Sequence, residues 1–187
     1  MKCLNEYLAR RANEEDCCKG RFWESRYKCQ ALLDEKALLQ CMAYVDLNPV
    51  RADMARTPEQ SDYTSVQQRA RKLAGSQCAK QPVLLPMVDA ETIDADDDHT
   101  LCRFRLMDYL ELVDCTGRAV RDDRRGSISG QAIKILDRLG IDEKVWLSHM
   151  RPRKQRHPVA VGALARLRDY AQKTGRKWVA GQSLAGW

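Results

Sequence analysis

A phenol and a carboxamide, Tyr44 and Asn48, stand four residues apart in the run LDEKALLQCMAYVDLNPVRADMAR, residues 33–56. In a helix that spacing sets the two side chains on one face, a turn apart. A phenol ionises only near a pKa of about 10, so at neutral pH it is a weak nucleophile unless something beside it helps. From spacing alone Tyr44 reads as an amphipathic surface or interface residue. Any chemical role has to come from the elements that position it.

The run has the marks of a helix with a defined beginning and end. Asp34 is a good N-cap, and Glu35 suits the positive end of the helix dipole. Leu38, Leu39, Met42 and Val45 recur at helical spacing and are expected to face a core. At about 100° per residue, Tyr44 lies roughly opposite that stripe, beside Ala37, Gln40 and Asn48. Pro49 disfavours helical geometry at Asn48 and predicts a boundary there.

Upstream, residues 1–14 read as a helix with Leu4, Tyr7, Leu8 and Ala12 close to one face. Residues 21–28, RFWESRYK, alternate bulky and charged side chains, as in a short strand or extended segment. Bases interleaved with aromatics suit nucleic acid, through phosphate pairing and stacking; Phe22 and Trp23 suit a core equally well.

The segment GRFWESRYKCQALLDEKAL followed by AYVDLNPVRADMA resembles the tail of the catalytic domain of single-tyrosine transposases of the HUH class, in the REP-associated tyrosine transposase branch. The pattern G-R-F-W-E-x-R-Y-K, then Y-x-x-L-N-P-V-R-A, covers about fifty positions and gives out near Gln68. The resemblance implies that Tyr44 is the nucleophile, attacking a phosphodiester of single-stranded DNA to form a 5′-phosphotyrosine bond and free a 3′-hydroxyl. It implies a Mg²⁺ or Mn²⁺ ion held by two histidines, with Asn48 matching a third, amide-bearing ligand. Arg21, Trp23, Arg26 and Lys28 become candidates for DNA contact.

The chain lacks part of that set. It contains no H-x-H, and its histidines, His99, His149 and His157, all follow Tyr44. The expectation is an N-terminally truncated transposase without strand-cleaving activity of its own, since a phenol, one amide and scattered bases lack the charge stabilisation a phosphodiester cleavage site needs. Three other readings stay open: a non-catalytic DNA-binding or regulatory remnant, a subunit lending Tyr44 to the histidines of a full-length relative, and a fragment that folds poorly because its apolar stripe has lost a sheet; a homodimer is the other assembly expected.

After the tyrosine run a further helix is expected at about 64–74. Residues 75–100 read as a linker, with six acids and no base over residues 89–98. Residues 101–187 read as a basic helical bundle, with helices near 104–113, 131–139, one capped by Asp142, and 159–174. Thr116, Gly117 and Arg118 are expected to stop the first of these, and Val161, Leu164, Ala165 and Leu167 to line the inside of the last. From residue 144 onward ten bases face one acid, a plausible phosphate-binding surface. The fold class expected is mostly α: the C-terminal remnant of an α+β HUH domain (residues 1–74), the acidic linker, then the bundle.

Eight cysteines show no C-x-x-C pair and read as reduced small hydrophobes. No apolar run approaches the roughly 20 residues that cross a bilayer, and the charged start shows no signal-peptide core. A cytoplasmic, non-membrane protein is expected.

Overall fold

The capping chemistry written into the tyrosine run forms as expected. In the computed structural model, which describes residues 1–25, 27–75, 84, 87, 104–121, 130–151 and 158–183, Asp34 caps helix α2 (Glu35–Asp46) by accepting from the Ala37 amide at 2.8 Å. The chain breaks at Leu47 and restarts as the single turn α3 (Asn48–Arg51), with Pro49 in its first turn where a missing N–H costs nothing. Arg26, His99, His157 and nearly all of the acidic linker lie outside the described residues.

The described residues are mostly helical. Helix α1 (Lys2–Glu15) comes first, then strand β1 (Ala31–Leu32), α2 and α3. A 3₁₀ turn at Pro58–Gln60 leads to α4 (Ser65–Leu73), which Thr64 caps through the Gln67 amide. Helices α5 (Leu106–Val120), α6 (Gly130–Arg138) and α7 (Glu143–Met150) follow, then β2 (Ala160–Val161), α8 (Leu164–Lys173) and β3 (Gly181–Gln182). Asp142 caps α7 through the Val145 amide, and Gly140, at φ 59°, ends α6 in the left-handed conformation glycine adopts most easily.

The residues flanking the acidic stretch share one core. Leu39, Ala43, Leu47, Val50 and Val66 are buried in the same cluster as Tyr109, Leu112, Val113, Leu136 and Trp146. Helices α5 and α7 therefore cover the apolar side of α2. That buried side is rotated from the expected stripe: Leu39 is buried and Leu38 and Met42 partly so, but Val45 is 55 % exposed. Ala43 takes the centre of the contact, where a short side chain lets neighbouring helices close in. Ala37, expected on the open side, is instead covered by Val161 of β2.

Two expectations in the second half need correcting. Helix α5 does not stop at Thr116–Gly117–Arg118 but runs on to Val120. Thr116 turns its hydroxyl back onto the Leu112 carbonyl at 2.6 Å, and a β-carbon on Gly117 would lie 3.0 Å from a Leu47 methyl. Gly117 is thus a point of close helix approach, not a terminator. The last helix starts at Leu164, not near 159, because Val159 and its neighbours pair as extended chain: the Ala31 amide donates to the Val159 carbonyl and the Leu33 amide to that of Val161, both at 2.9 Å. Val161 is buried as expected, but Leu164 and Ala165 are exposed.

The three short strands form a parallel sheet in the order β1–β2–β3, with α8 as the crossover between β2 and β3. Asp34 ties this unit to the tyrosine helix: while capping α2 with one carboxylate oxygen, it accepts from the Ala163 amide with the other at 2.6 Å. Gly162 makes the approach feasible, since a β-carbon there would lie 2.9 Å from that second oxygen.

Candidate functional site

At the α2–α3 junction the half-buried Tyr44 meets Asn48 through a third residue, Arg51. The Arg51 guanidinium carbon stands 4.1 Å from the centre of the Tyr44 ring, Nη2 donates to the phenol oxygen at 3.2 Å, and Nη1 donates to Asn48 Oδ1 at 3.2 Å. The turn made by Leu47 and Pro49 brings these side chains together, seven residues apart at the extremes. Arg51 Nε is buried with no hydrogen-bond partner among the described residues, a cost of about 1–3 kcal/mol that packing alone does not require. Sequence reasoning overlooked Arg51, although it follows Asn48 by three residues and so shares its face.

The phenol accepts from Arg51 and keeps its own proton for another acceptor. A guanidinium beside it is the group best shaped to grip a phosphate in two places. Nucleophile-type oxygen and anion-binding cation are therefore presented together.

Two residues past Tyr44, Asp46 fixes the rotation of α2. It is 2 % exposed and accepts from the Tyr109 hydroxyl at 2.5 Å, the Ser65 hydroxyl at 2.7 Å and the Ser65 amide at 2.9 Å. Ser65 is the first residue of α4, so the carboxylate also serves the N-terminal end of that helix. Burial, and then the neighbouring Asp46 charge and hydrogen bond, push the Tyr109 phenol well above its ordinary pKa, with Arg69 and Ser65 acting against them. Tyr109 is a neutral donor holding the tyrosine helix to α5. The spacing of the sequence carries no sign of this link across 63 residues.

The described residues around Asn48 do not fit a Mg²⁺ or Mn²⁺ ion. Asn48 Oδ1, the candidate ligand atom, faces a guanidinium at 3.2 Å, where a divalent cation would meet a like charge. The described residues hold no group of three His, Cys, Asp or Glu able to bind a metal. His149 is buried within α7.

Arg21, Trp23 and Lys28 come together elsewhere. With Lys2, Tyr27 and Val159 they line an open groove of about 1590 Å³ between the start of α1 and the strand-bearing end of the chain, and neither Tyr44 nor Asn48 lines it. Residues 21–25 and 27–28 form bends and irregular chain, not a strand. Trp23 Nε1 donates to the Asn5 carbonyl at 2.9 Å, and Phe22 meets Trp23 edge-on at 4.7 Å. Both rings remain over 40 % exposed, at 44 % and 42 %, so neither belongs to the core. The face of α1 carrying Leu4, Tyr7 and Leu8 is exposed as well.

Compared with family models, with curated proteins and with solved structures, the chain finds no match.

Proposed function

We propose that this chain is a transposase-family protein carrying the mostly helical, tyrosine-bearing part of an α+β single-tyrosine HUH domain, and that these residues by themselves bind DNA without cleaving a strand. The observation that carries the proposal is the junction of Tyr44, Asn48 and Arg51, a phenol oxygen with a guanidinium 3.2 Å away at the position where the sequence pattern calls for a nucleophile. In the family's reaction the Tyr44 oxygen gives up its proton and attacks phosphorus, a P–O bond to tyrosine forms, the bond between phosphorus and the 3′ oxygen breaks, and that oxygen takes up a proton and leaves as a hydroxyl. Arg51 serves there by pairing with the non-bridging oxygens of the phosphate under attack. Among the described residues nothing replaces the metal that the family's two histidines hold, so the chain does not turn over alone.

DNA binding itself rests on Arg21, Trp23, Arg26 and Lys28, with exposed rings available for stacking and bases for phosphates. The target is a single strand or hairpin, and a full-length relative carrying the histidines is the partner able to complete the site; a homodimer, whose second copy lacks them too, adds only binding surface. A cytoplasmic location is part of the same proposal; among the described residues no helix is long and apolar enough to cross a membrane.

The test is to incubate the pure chain with Mn²⁺ and a labelled palindromic hairpin, then run a denaturing gel. The expected outcome is hairpin retention under native conditions that weakens by roughly 0.7 log units per log unit of salt for each single-strand phosphate neutralised, with no covalent band. A tyrosyl–DNA adduct from the chain alone would refute the loss of cleavage, and absence of hairpin retention at low salt would refute the binding.

A further inference from the structure

We infer that the outer face of α8 and the turn after it form a second nucleic-acid-binding surface, separate from the groove beside α1 and from Tyr44. Residues 158–183 contain five bases, Arg166, Arg168, Lys173, Arg176 and Lys177, against the single acid Asp169. This short unit thus carries four of the chain's six net positive charges. All five bases are exposed, and none is paired with a carboxylate among the described residues.

The direction these side chains face is fixed by what lies beneath the helix. Ala171 is buried, and Leu167 presses so closely on β3 that a β-carbon on Gly181 would fall 2.5 Å from its methyl. With that side seated on the sheet, Arg166 and Lys173 are left on the side facing water, and Arg168, about 200° round the helix from Arg166, is exposed on its flank. Arg166 and Lys173 are seven residues apart, two turns and about 10 Å along the axis, a span of about three phosphates at 3.4 Å per nucleotide along the helix axis. Gly175, at φ 65°, then reverses the chain: its amide donates to the Gln172 carbonyl at 3.0 Å and the Arg176 amide to that of Ala171 at 2.9 Å. The reversal sets Arg176 and Lys177 at the end of the helix and extends the row of charge.

One base at a helix C-terminus is explained by the helix dipole. That account does not cover Arg166 and Arg168 in the first half of α8, nor Trp178. Trp178 follows the two bases and is 75 % exposed, an unusual state for an indole with no buried partner. A row of bases ending in an exposed indole matches a phosphodiester backbone with an unpaired base to stack at one end. The ligand class is therefore nucleic acid at a junction of duplex and single strand.

The experiment measures binding of the full chain to a labelled blunt duplex and to the same duplex with a single-stranded overhang. The combined variant Arg166→Gln, Lys173→Gln, Arg176→Gln, Lys177→Gln is expected to bind both at least tenfold more weakly at about 100 mM salt, with a salt slope reduced by roughly 2–4 units. Trp178→Ala is expected to lose affinity for the overhang and not for the blunt duplex. Arg21→Gln with Lys28→Gln removes contacts of the other groove and lowers the slope by its own increment; in that background the combined variant is expected to lower it by the same further amount of roughly 2–4 units. Unchanged affinity and slope in the combined variant, at an unchanged melting temperature, would overturn the inference. So would binding to vesicles containing anionic lipid without binding to DNA.

Discussion

Replacing Trp146 with alanine is expected to destabilise the whole chain by about 3–5 kcal/mol, and to do so in one cooperative transition. Trp146 is fully buried, on α7, where it packs between the tyrosine helix and α5. Its Nε1 donates at 3.0 Å to the Thr116 hydroxyl, which in turn donates to the Leu112 carbonyl. The substitution therefore opens a cavity and leaves Thr116 one donor short. At about 2–4 °C per kcal/mol for a chain of this size, the melting temperature should fall by roughly 6–20 °C. Trp146→Phe keeps most of the volume and isolates the lost hydrogen bond, so it should cost far less. Calorimetry with denaturant titration would measure both. Two separate transitions, with α2 melting apart from α5–α7, would contradict a core shared across the acidic stretch.

A loss of about 3 kcal/mol is expected for Asp46→Ala, because it strands the buried Tyr109 hydroxyl and strips two hydrogen bonds from Ser65. The same pair makes a pH prediction. Folding raises the Tyr109 pKa above its unfolded value of about 10, so its contribution is complete below pH 10 and is lost as pH rises further. Above that point the unfolded phenol gives up its proton while the folded one keeps it. Wild type should then lose up to about 1.4 kcal/mol per pH unit relative to Tyr109→Phe, whose buried ring cannot titrate. Unfolding curves of the two proteins between neutral pH and pH 11 give this difference directly. Parallel curves would show that Tyr109 is not held as a neutral donor.

The sequence was informative where structure is decided within a turn or two. Asp34 and Asp142 cap the helices their positions announce, Gly140 ends one, and Pro49 breaks another. Each of these depends on a backbone amide or a dihedral angle a few residues away. Which face is buried depends on partners distant in the chain, and there periodicity misled. Val45 fits the apolar stripe by spacing yet lies in water, while Ala43 and Asp46 lie inside, because α5 and α7 meet α2 from a direction its own residues do not encode. Gly117 looked like a stop and is a contact. Residues 159–161 looked helical and are held extended by β1, which lies 128 residues earlier where Gln30 also reaches the Pro158 carbonyl.

The candidate site divides in the same way. Tyr44 and Asn48 were readable as a pair at one helix end, but the face was not: Tyr44 packs partly against the core and Ala37, expected beside it on the open side, is buried. The pairing turned out to be indirect, since Arg51 holds both. That arginine changes the chemistry of the site, for it turns the Asn48 oxygen toward a cation and supplies an anion-binding group next to the phenol. Covering α2 with α5 and α7 also answers the concern that the stripe would be left bare without a sheet. The tyrosine helix has an apolar partner within this chain, and its Tyr44 end remains at the surface.

The most direct measurement of the central claim joins residues 1–187 to the histidine-bearing sheet portion of a single-tyrosine transposase and assays covalent capture of a labelled hairpin with Mn²⁺. The expected result is a 5′-phosphotyrosine adduct that peptide mapping places on Tyr44, absent from the unjoined chain, abolished by Tyr44→Phe and cut at least tenfold by Arg51→Ala. A fusion that folds, binds Mn²⁺ and retains the hairpin, yet forms no adduct or forms it at another residue, would contradict the assignment of Tyr44 as the nucleophile of a half-site.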